Sequence, residues 1–392
     1  MPEFKETTPN YTLLDLIKYF LKLGTTGFGG PVALVGYMHR DLVEDKQWIS
    51  DSDYKEGLAL SQLTPGPLAA QLGIYIGFVH FGVLGATLSG LAFILPSFIM
   101  VVLLGIAYQA YGGLPWMQAI FYGISAAVIG IIVLSSYKLT IKSISKFEIS
   151  TIKSNWLLWI FYIATTILTA VTQKEELLLF IALGFIYMIV KAPPEWIKRP
   201  KRASLFFLTT AGFSTIELGK LGDLAWFFIK AGAFVFGSGL AIVPFLHAGV
   251  VNEHRWLTEH QFVDAVAVAM ITPGPVVITV GFIGYLVAGV TGATIAALGV
   301  FFPCYLFTVI PAPYFKKISQ NKSIKAFVDG ITAAVIGALV GAVIVIAVRT
   351  IVDIPTALIA TGTVLLLIYV KKIQEPHIIA IAALLGVIMK LT

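Results

Sequence analysis

Two short runs in this chain place helix-breaking residues where an apolar helix would otherwise continue: Thr64-Pro65-Gly66-Pro67 and Thr272-Pro273-Gly274-Pro275. Proline in a helix interior removes a hydrogen bond and clashes with the preceding turn, so each run interrupts a helix or starts one. A helix that starts there aims unpaired backbone N–H groups and the positive end of its dipole into the protein, a setting that suits an anion. Two prolines lower the number of amide donors, and Gln62, Thr64, Gln71 and Thr272 are side chains that supplement them. The alternative is a kink that serves packing alone. The recurrence of the run at matched positions favours the functional reading.

A second kind of break precedes each of these runs. Gly29-Gly30-Pro31 and Gly237-Ser238-Gly239 interrupt the first helix of each half, either to let helices approach closely or to leave backbone free for substrate, and both readings stand. Lys22 and Lys230 each sit six residues before the Phe-Gly that opens the break, about midway along what reads as the first span. An ammonium inside a span faces a partner, a cavity or a substrate, and its sign fits an anion. Asp15 and Asp223 lie seven residues earlier on the same helix face and read as acids favouring the positive helix end. The polar stretches that follow hold matched tryptophans, Trp48 and Trp256, which anchor an amphipathic segment at the membrane interface. They also hold four candidates for proton coupling, His39, Glu56, His247 and Asp264. The plainer reading of the histidines is an interfacial ring bonded to its neighbours, and of the acids a charge at a helix start.

Enzyme chemistry lacks its usual marks. No His-Glu-x-x-His pair, cysteine–histidine cluster or Gly-x-Ser-x-Gly elbow occurs, and the glycines follow no strand and precede no Gly-Lys-Ser/Thr. No catalytic residue, metal site or cofactor is expected. The single cysteine, Cys304, lies in an apolar run and reads as an inert core residue.

The elements that position these residues come from a duplication. A shift of 208 positions lays residues 28–73 on 236–281 without a gap, and at 207 Pro96 meets Pro303 and the octet 123–130 meets 330–337. Of all residues 58% are hydrophobic and 12% charged, against roughly 45–50% and about 25% in soluble domains, so the chain belongs in a bilayer. Segments 83–107, 115–137, 155–171, 326–348 and 354–370 carry almost no internal charge and approach the roughly 20 residues that cross a membrane. The fold class is an all-α polytopic membrane protein. The polar start shows no cleavable leader, and the first helix serves as the insertion signal. The net charge of +6 comes from basic residues in short loops, which indicates cytoplasmic placement rather than nucleic acid.

Those loops orient the halves. In the first, 138–153 holds Lys138, Lys142, Lys146 and Lys153, whereas 108–115 is uncharged. In the second the order is exchanged, with Lys316, Lys317, Lys322 and Lys325 in 315–325 against Arg349 and Asp353 in 349–353. The halves are thus inserted oppositely, as an inverted-topology repeat with broken or re-entrant helices at the Gly/Pro runs. The expected division is a first repeat over 1–190, a basic linker over 191–215 and a second repeat over 216–392. Inversion requires an odd number of crossings, which either a short extra span at 204–218 or a re-entrant element in each half supplies.

Phe28-Gly29-Gly30-Pro31, Trp48 and Pro65-Gly66-Pro67 with Gln71 resemble the signature of the chromate ion transporter family, and the second half repeats it in weaker form. The resemblance runs from about residue 12 to 390. It implies a multi-pass inner-membrane protein of a bacterium or archaeon, in the long form with two fused, oppositely oriented halves. It also implies chromate export driven by membrane potential or by ion or proton exchange. Ala69 and Ala70 stand where many members carry Ser and Thr, and Ser238-Gly239 stands for Gly30-Pro31. The expected site is a midplane cradle for a tetrahedral dianion. Its parts are the backbone at Gly29, Gly30, Gly237 and Gly239 and at the two runs (Pro65, Gly66, Pro67; Pro273, Gly274, Pro275). Gln62, Thr64, Gln71, Ser238 and Thr272 are neutral donors there, and Lys22 and Lys230 compensate charge. Partners are a chromate- or sulfate-like oxyanion and the lipid bilayer, with a homodimer left open. A sulfate or other oxyanion carrier is the near alternative, and a membrane-embedded enzyme or lipid scramblase the distant one.

Overall fold

The structure is a computed structural model that describes residues 10–145, 148–173, 177–194, 219–234, 239–315, 321–370 and 373–391. Among the described residues every regular element is helical. Helix α1 (Leu13–Thr26) starts from a capping box. The Thr12 side chain accepts from the Asp15 amide and the Asp15 carboxylate accepts from the Thr12 amide, a contribution of about 1 kcal/mol. The chain leaves helical geometry at Gly27 and returns as α2 (Gly30–His39), which continues as a π-helical turn, Arg40–Asp45. The return brings Tyr19 of α1 to Asp41 at the far end, hydroxyl to carboxylate at 3.3 Å.

Helix α3 (Asp51–Leu63) begins at a Ser50 cap, stops at the first Thr-Pro-Gly-Pro run, and is followed by α4 (Leu68–Tyr111). The Tyr75 ring fills the space that a Cβ on Gly57 would need, so α3 and the start of α4 lie back to back. At 1.5 Å per residue α1 and α3 reach about 20 Å, short of the roughly 30 Å hydrocarbon core. Each is too short to cross, and after each the chain turns back alongside it. The expectation that Lys22 sits midway along a span is corrected here: α1 is one arm of a re-entrant hairpin, because Gly27 ends the helix.

α4 folds back on itself at Gly82 (φ 59°, ψ −150°), a conformation open to glycine almost alone, and this bend separates arm 68–81 from arm 83–111. Gly77 and Gly85 meet there with each backbone carbonyl in the space of the other's missing Cβ, and Ile74 packs on Gly90. The longer arm is a full crossing, and α5 (Pro115–Ser143) returns across the membrane. After α6 (Ile149–Ser154), the apolar α7 (Trp156–Thr172) and α8 (Leu177–Lys191) complete the first half.

The second half repeats this plan. Helix α9 (Lys220–Ala233) corresponds to α1; a 3-10 turn (Gly239–Ile242), α10 (Val243–Leu246) and a π-helical turn (His247–Glu253) correspond to α2 and its extension. Helix α11 (Glu259–Ile271) starts from a Thr258/Gln261 capping box and ends at the second Thr-Pro-Gly-Pro run. Helix α12 (Thr279–Val309) then bends at Ala288 and Gly289, the latter with φ 61° and ψ −152°, into arms 279–287 and 290–309. α13 (Lys322–Thr350), α14 (Ile354–Tyr369) and α15 (Glu375–Leu391) follow.

Packing directions establish the inversion. Phe98 and Val101 lie on Gly281, and Gly105 on Tyr285, so arm 83–111 runs parallel to arm 279–287. Arm 279–287 is antiparallel to 290–309, with Gly284 against Gly292. The corresponding crossings 83–111 and 290–309 are therefore antiparallel, as a two-fold axis in the membrane plane requires. The halves also interlock: α5 packs against α14 and α15, while α13 packs against α7 and α8. Glycines of the repeated octet make these contacts, Gly123 on Ala382 and Gly386, and Gly337 on Tyr162 and Thr165. Small residues let helix backbones approach, which is how helices associate where lipid removes the hydrophobic driving force. The basic linker and the short span proposed at 204–218 fall largely outside the described residues.

Gly82→Ala meets no neighbouring atom yet must hold φ 59°. It is expected to lower stability by about 1–3 kcal/mol through backbone strain alone, read as a lower thermal midpoint in detergent.

Candidate functional site

The re-entrant tips of both halves converge at the centre. The Gly274 amide of the second run donates to the carbonyl of Gly27, the tip of the first hairpin, at 2.9 Å. Ser97, on the crossing arm of α4, donates to the Pro273 carbonyl at 2.7 Å and lies 3.3 Å from the Gly24 carbonyl. The other run shows the symmetric arrangement: a Cβ on Gly66 would stand 3.1 Å from the sulfur of Cys304. Ser97 and Cys304 are the residues after the matched prolines Pro96 and Pro303. Each run thus rests on the long crossing helix of the opposite half. Gly66 and Gly274 hold φ of 143° and 97°, and at Gly274 the Ser97 hydroxyl occupies the place of a Cβ, so a side chain is excluded on both counts.

Beyond each run a helix starts with no side-chain cap. The first amides of α4, at Leu68, Ala69 and Ala70, have no acceptor within their own helix, and all three residues are buried. Val276 and Val277 open the corresponding 3-10 turn, also uncapped and buried. Positive helix ends therefore face the interior in both halves.

The neutral side chains near the runs are already engaged. Thr64 donates to the Leu60 carbonyl at 2.9 Å, and Gln71 donates from Nε2 to Thr64 Oγ1 at 2.9 Å and to the Pro65 carbonyl at 2.7 Å. Thr272 donates to Val268 and Ala269 carbonyls at 3.1 Å. Gln71 thus staples its break closed. Its Oε1 is buried with no hydrogen-bond partner. Gln62 is exposed, away from this staple. Gly29 and Gly30 hold φ of 102° and 71° at the start of α2, and Gly239 packs on Val277. Gly237 and Ser238 lie outside the described residues.

The lysines mark two cavities. Lys22 lines one of about 620 Å³ with Lys18, Arg40, Asp41 and Trp48. Lys230 lines one of about 940 Å³ with Gln173, Asn252, Arg255 and Trp256, its ammonium 6.0 Å above the Trp226 ring. The inverted repeat places these cavities at opposite faces. Of the titratable candidates, His39 is half-buried between Glu44 and Asp51, at 3.1 and 3.3 Å. The Lys55 ammonium and then His39 hold the Asp51 carboxyl below its usual range. His247 is buried and bonds Glu259 at 2.7 Å; Arg349 bonds the other oxygen of Glu259, also at 2.7 Å. Glu56 engages Tyr75 on its own hairpin. Asp264 is 6% exposed and accepts from the Tyr108 hydroxyl at 2.8 Å and the Ser125 hydroxyl at 3.2 Å.

The sequence gives no role to Ser97, Tyr108 or Ser125, counts Arg349 only as a loop charge, and assigns Cys304 to the core. Ser97 and Cys304 were within reach, one residue past a recognised proline pair. Among the described residues no cluster of three or more His, Cys, Asp or Glu forms a metal site.

Residues 14–189 and 222–387 both match the sequence model of a family described as chromate transporter. The chain is 60% identical to the chromate transport protein of Cupriavidus metallidurans over 97% of its own length and 94% of that protein's. It is 56% identical to the probable chromate transport protein of Synechococcus elongatus over 97% and 96%. With the chromate transport protein of Pseudomonas aeruginosa it shares 28% identity over 96% and 92%. No solved structure matches.

Replacing Gln71 with leucine leaves the part-buried Pro65 carbonyl without its donor and is expected to cost about 1–3 kcal/mol. Gln62→Leu, at an exposed position, is expected to stay within about 0.5 kcal/mol in the same thermal unfolding assay.

Proposed function

The chain belongs to the chromate transporter family, a multi-pass inner-membrane protein of a prokaryote, and from this premise we propose that it exports chromate through the paired re-entrant tips. The observation that supports the reading is that a buried helix start with no side-chain cap follows the Thr-Pro-Gly-Pro run of each half. Backbone amides at Leu68 to Ala70 and at Val276 and Val277 offer partial positive charge to the oxygens of a tetrahedral dianion. Among the described residues no fixed cation stands at these amides, and dispersed partial charge lets the ion leave again. The glycines at 29, 30, 66, 239 and 274 keep the backbone approachable. The four prolines shape the runs, while Thr64, Gln71 and Thr272 brace them. Lys22 and Lys230 attract the anion into its cavity from either side.

The positive-inside rule places the lysine-rich end of α5 and the start of α13 in the cytoplasm. The Lys22 cavity then opens inward and the Lys230 cavity outward. The contacts of Gly274 with Gly27 and of Ser97 with Pro273 lie between them and must part as one half rocks against the other. A potential negative inside favours this direction: a dianion leaving the cytoplasm gains about 4–5 kcal/mol per 100 mV. Relatives named as transport proteins support transport rather than catalysis.

Chromate flux into inverted vesicles under an imposed potential tests the reading. Gly66→Leu is expected to lower flux at least tenfold, because its side chain meets Gln71 and Cys304, and Lys22→Ala to raise the half-saturating concentration severalfold. Flux equal to the parent's in both, at equal abundance, rules this site out. Inhibition by sulfate at comparable concentration marks a general oxyanion carrier, and lipid turnover without oxyanion flux marks a scramblase or membrane enzyme instead.

A further inference from the structure

A carboxyl in the membrane interior is costly and is retained where it has work to do. Asp264 is such a group, set one turn into α11, on a hairpin of the second half. Both its partners belong to the first half: Tyr108 on the crossing arm of α4 donates at 2.8 Å, and Ser125 on α5 donates at 3.2 Å. No cation pairs with it among the described residues. Among the described residues, Tyr108 is the ionisable group with a hydrogen bond to the carboxyl. Arg349 of α13 and His247 of the π-helical turn are both bound to Glu259, and Lys390 of α15 lies over the Tyr122 ring of α5. His260 stands one turn earlier on the same helix, exposed.

The repeat carries this arrangement once. Glu56 occupies the position matched to Asp264 but engages Tyr75 within its own hairpin. Phe315 stands where the second half would need a counterpart of Tyr108. Asp264 is therefore the acid of this matched pair whose bonds stretch across the two halves and must change when they rock.

We propose that Asp264 is a proton-binding site that couples the movement of the halves to a proton, an inference that rests on the transport reading above. As a carboxylate it accepts two charge-assisted hydrogen bonds and pins the second-half hairpin to two first-half crossings. With a proton bound to one oxygen the charge is gone, both bonds weaken, and the hairpin is free to move. The proton is taken up in one orientation of the halves and returned to water in the other, with no other bond made or broken.

The test uses purified full-length protein in liposomes, with chromate–chromate exchange and chromate accumulation under a pH gradient at zero potential both measured. Asp264→Asn is expected to keep exchange within about twofold of the parent and to lose gradient-driven accumulation more than tenfold; Asp264→Glu is expected to retain it. Tyr108→Phe and Ser125→Ala each remove a donor to the charged form and are expected to move the pH midpoint of transport upward by about one unit. Should Asp264→Asn fail to fold or lose exchange as well, these two variants decide: a shifted midpoint supports the site and an unshifted one overturns it. Accumulation by Asp264→Asn equal to the parent's overturns it as well. A parent that moves no chromate in either assay overturns the transport reading and this inference with it, whereas intact parent exchange with unmoved pH profiles overturns the coupling site alone.

Discussion

Backbone amides and carbonyls at mid-membrane have no water to bond, and every departure from helix there must be answered by protein. This chain interrupts its helices at the tips of re-entrant hairpins and at two hairpin bends, and the rest of the fold follows from how those interruptions are enclosed. The Pro65 carbonyl is met by Gln71, the Pro273 carbonyl by Ser97, and the Gly27 carbonyl by the Gly274 amide. What is left unanswered by side chains is the set of amides at the helix starts beyond the runs. An anion is the ligand that such a remainder suits.

Enclosure at this closeness demands small residues. Gly24 and Gly232, at matched positions near the end of the first arm, lie against the backbones of Phe93 and Val300 with no room for a side chain. The repeated octet does the same for the outer helices, and because α5 packs on the last two helices of the other half while α13 packs on α7 and α8, neither half is enclosed by its own residues alone. Beside this packing, hydrogen bonds near the tips and at Asp264 also join the two halves.

The two-fold relation is approximate, and its departures fall where polarity matters. Ser97 faces one run and Cys304 the other; a hydroxyl bridges two carbonyls, while a buried thiol is a weak donor and mainly fills space. His247 is buried in a cluster with Glu259 and Arg349, whereas His39 is half-buried and its acids are exposed. Identical halves would offer the substrate the same surroundings from both sides. Unequal halves give the two faces different chemistry.

The sequence by itself determined the class, the repeat, the opposite insertion of the halves and the positions of the breaks. Hydropathy, loop lysines and proline are local properties, and each acts within a few residues of where it is written. Sequence left open whether the breaks kink a span or end it. Geometry decided this, because Gly57 against Tyr75 and Gly77 against Gly85 are contacts between segments running back to back. It also had no means of showing that Gln71 would spend its donors on Thr64 and Pro65, or that Asp264, Tyr108 and Ser125 would meet. Their separations of 156 and 139 residues are bridged only when the inverted halves interlock, and a side chain's hydrogen-bonding capacity is assigned by what that packing brings within 3 Å of it.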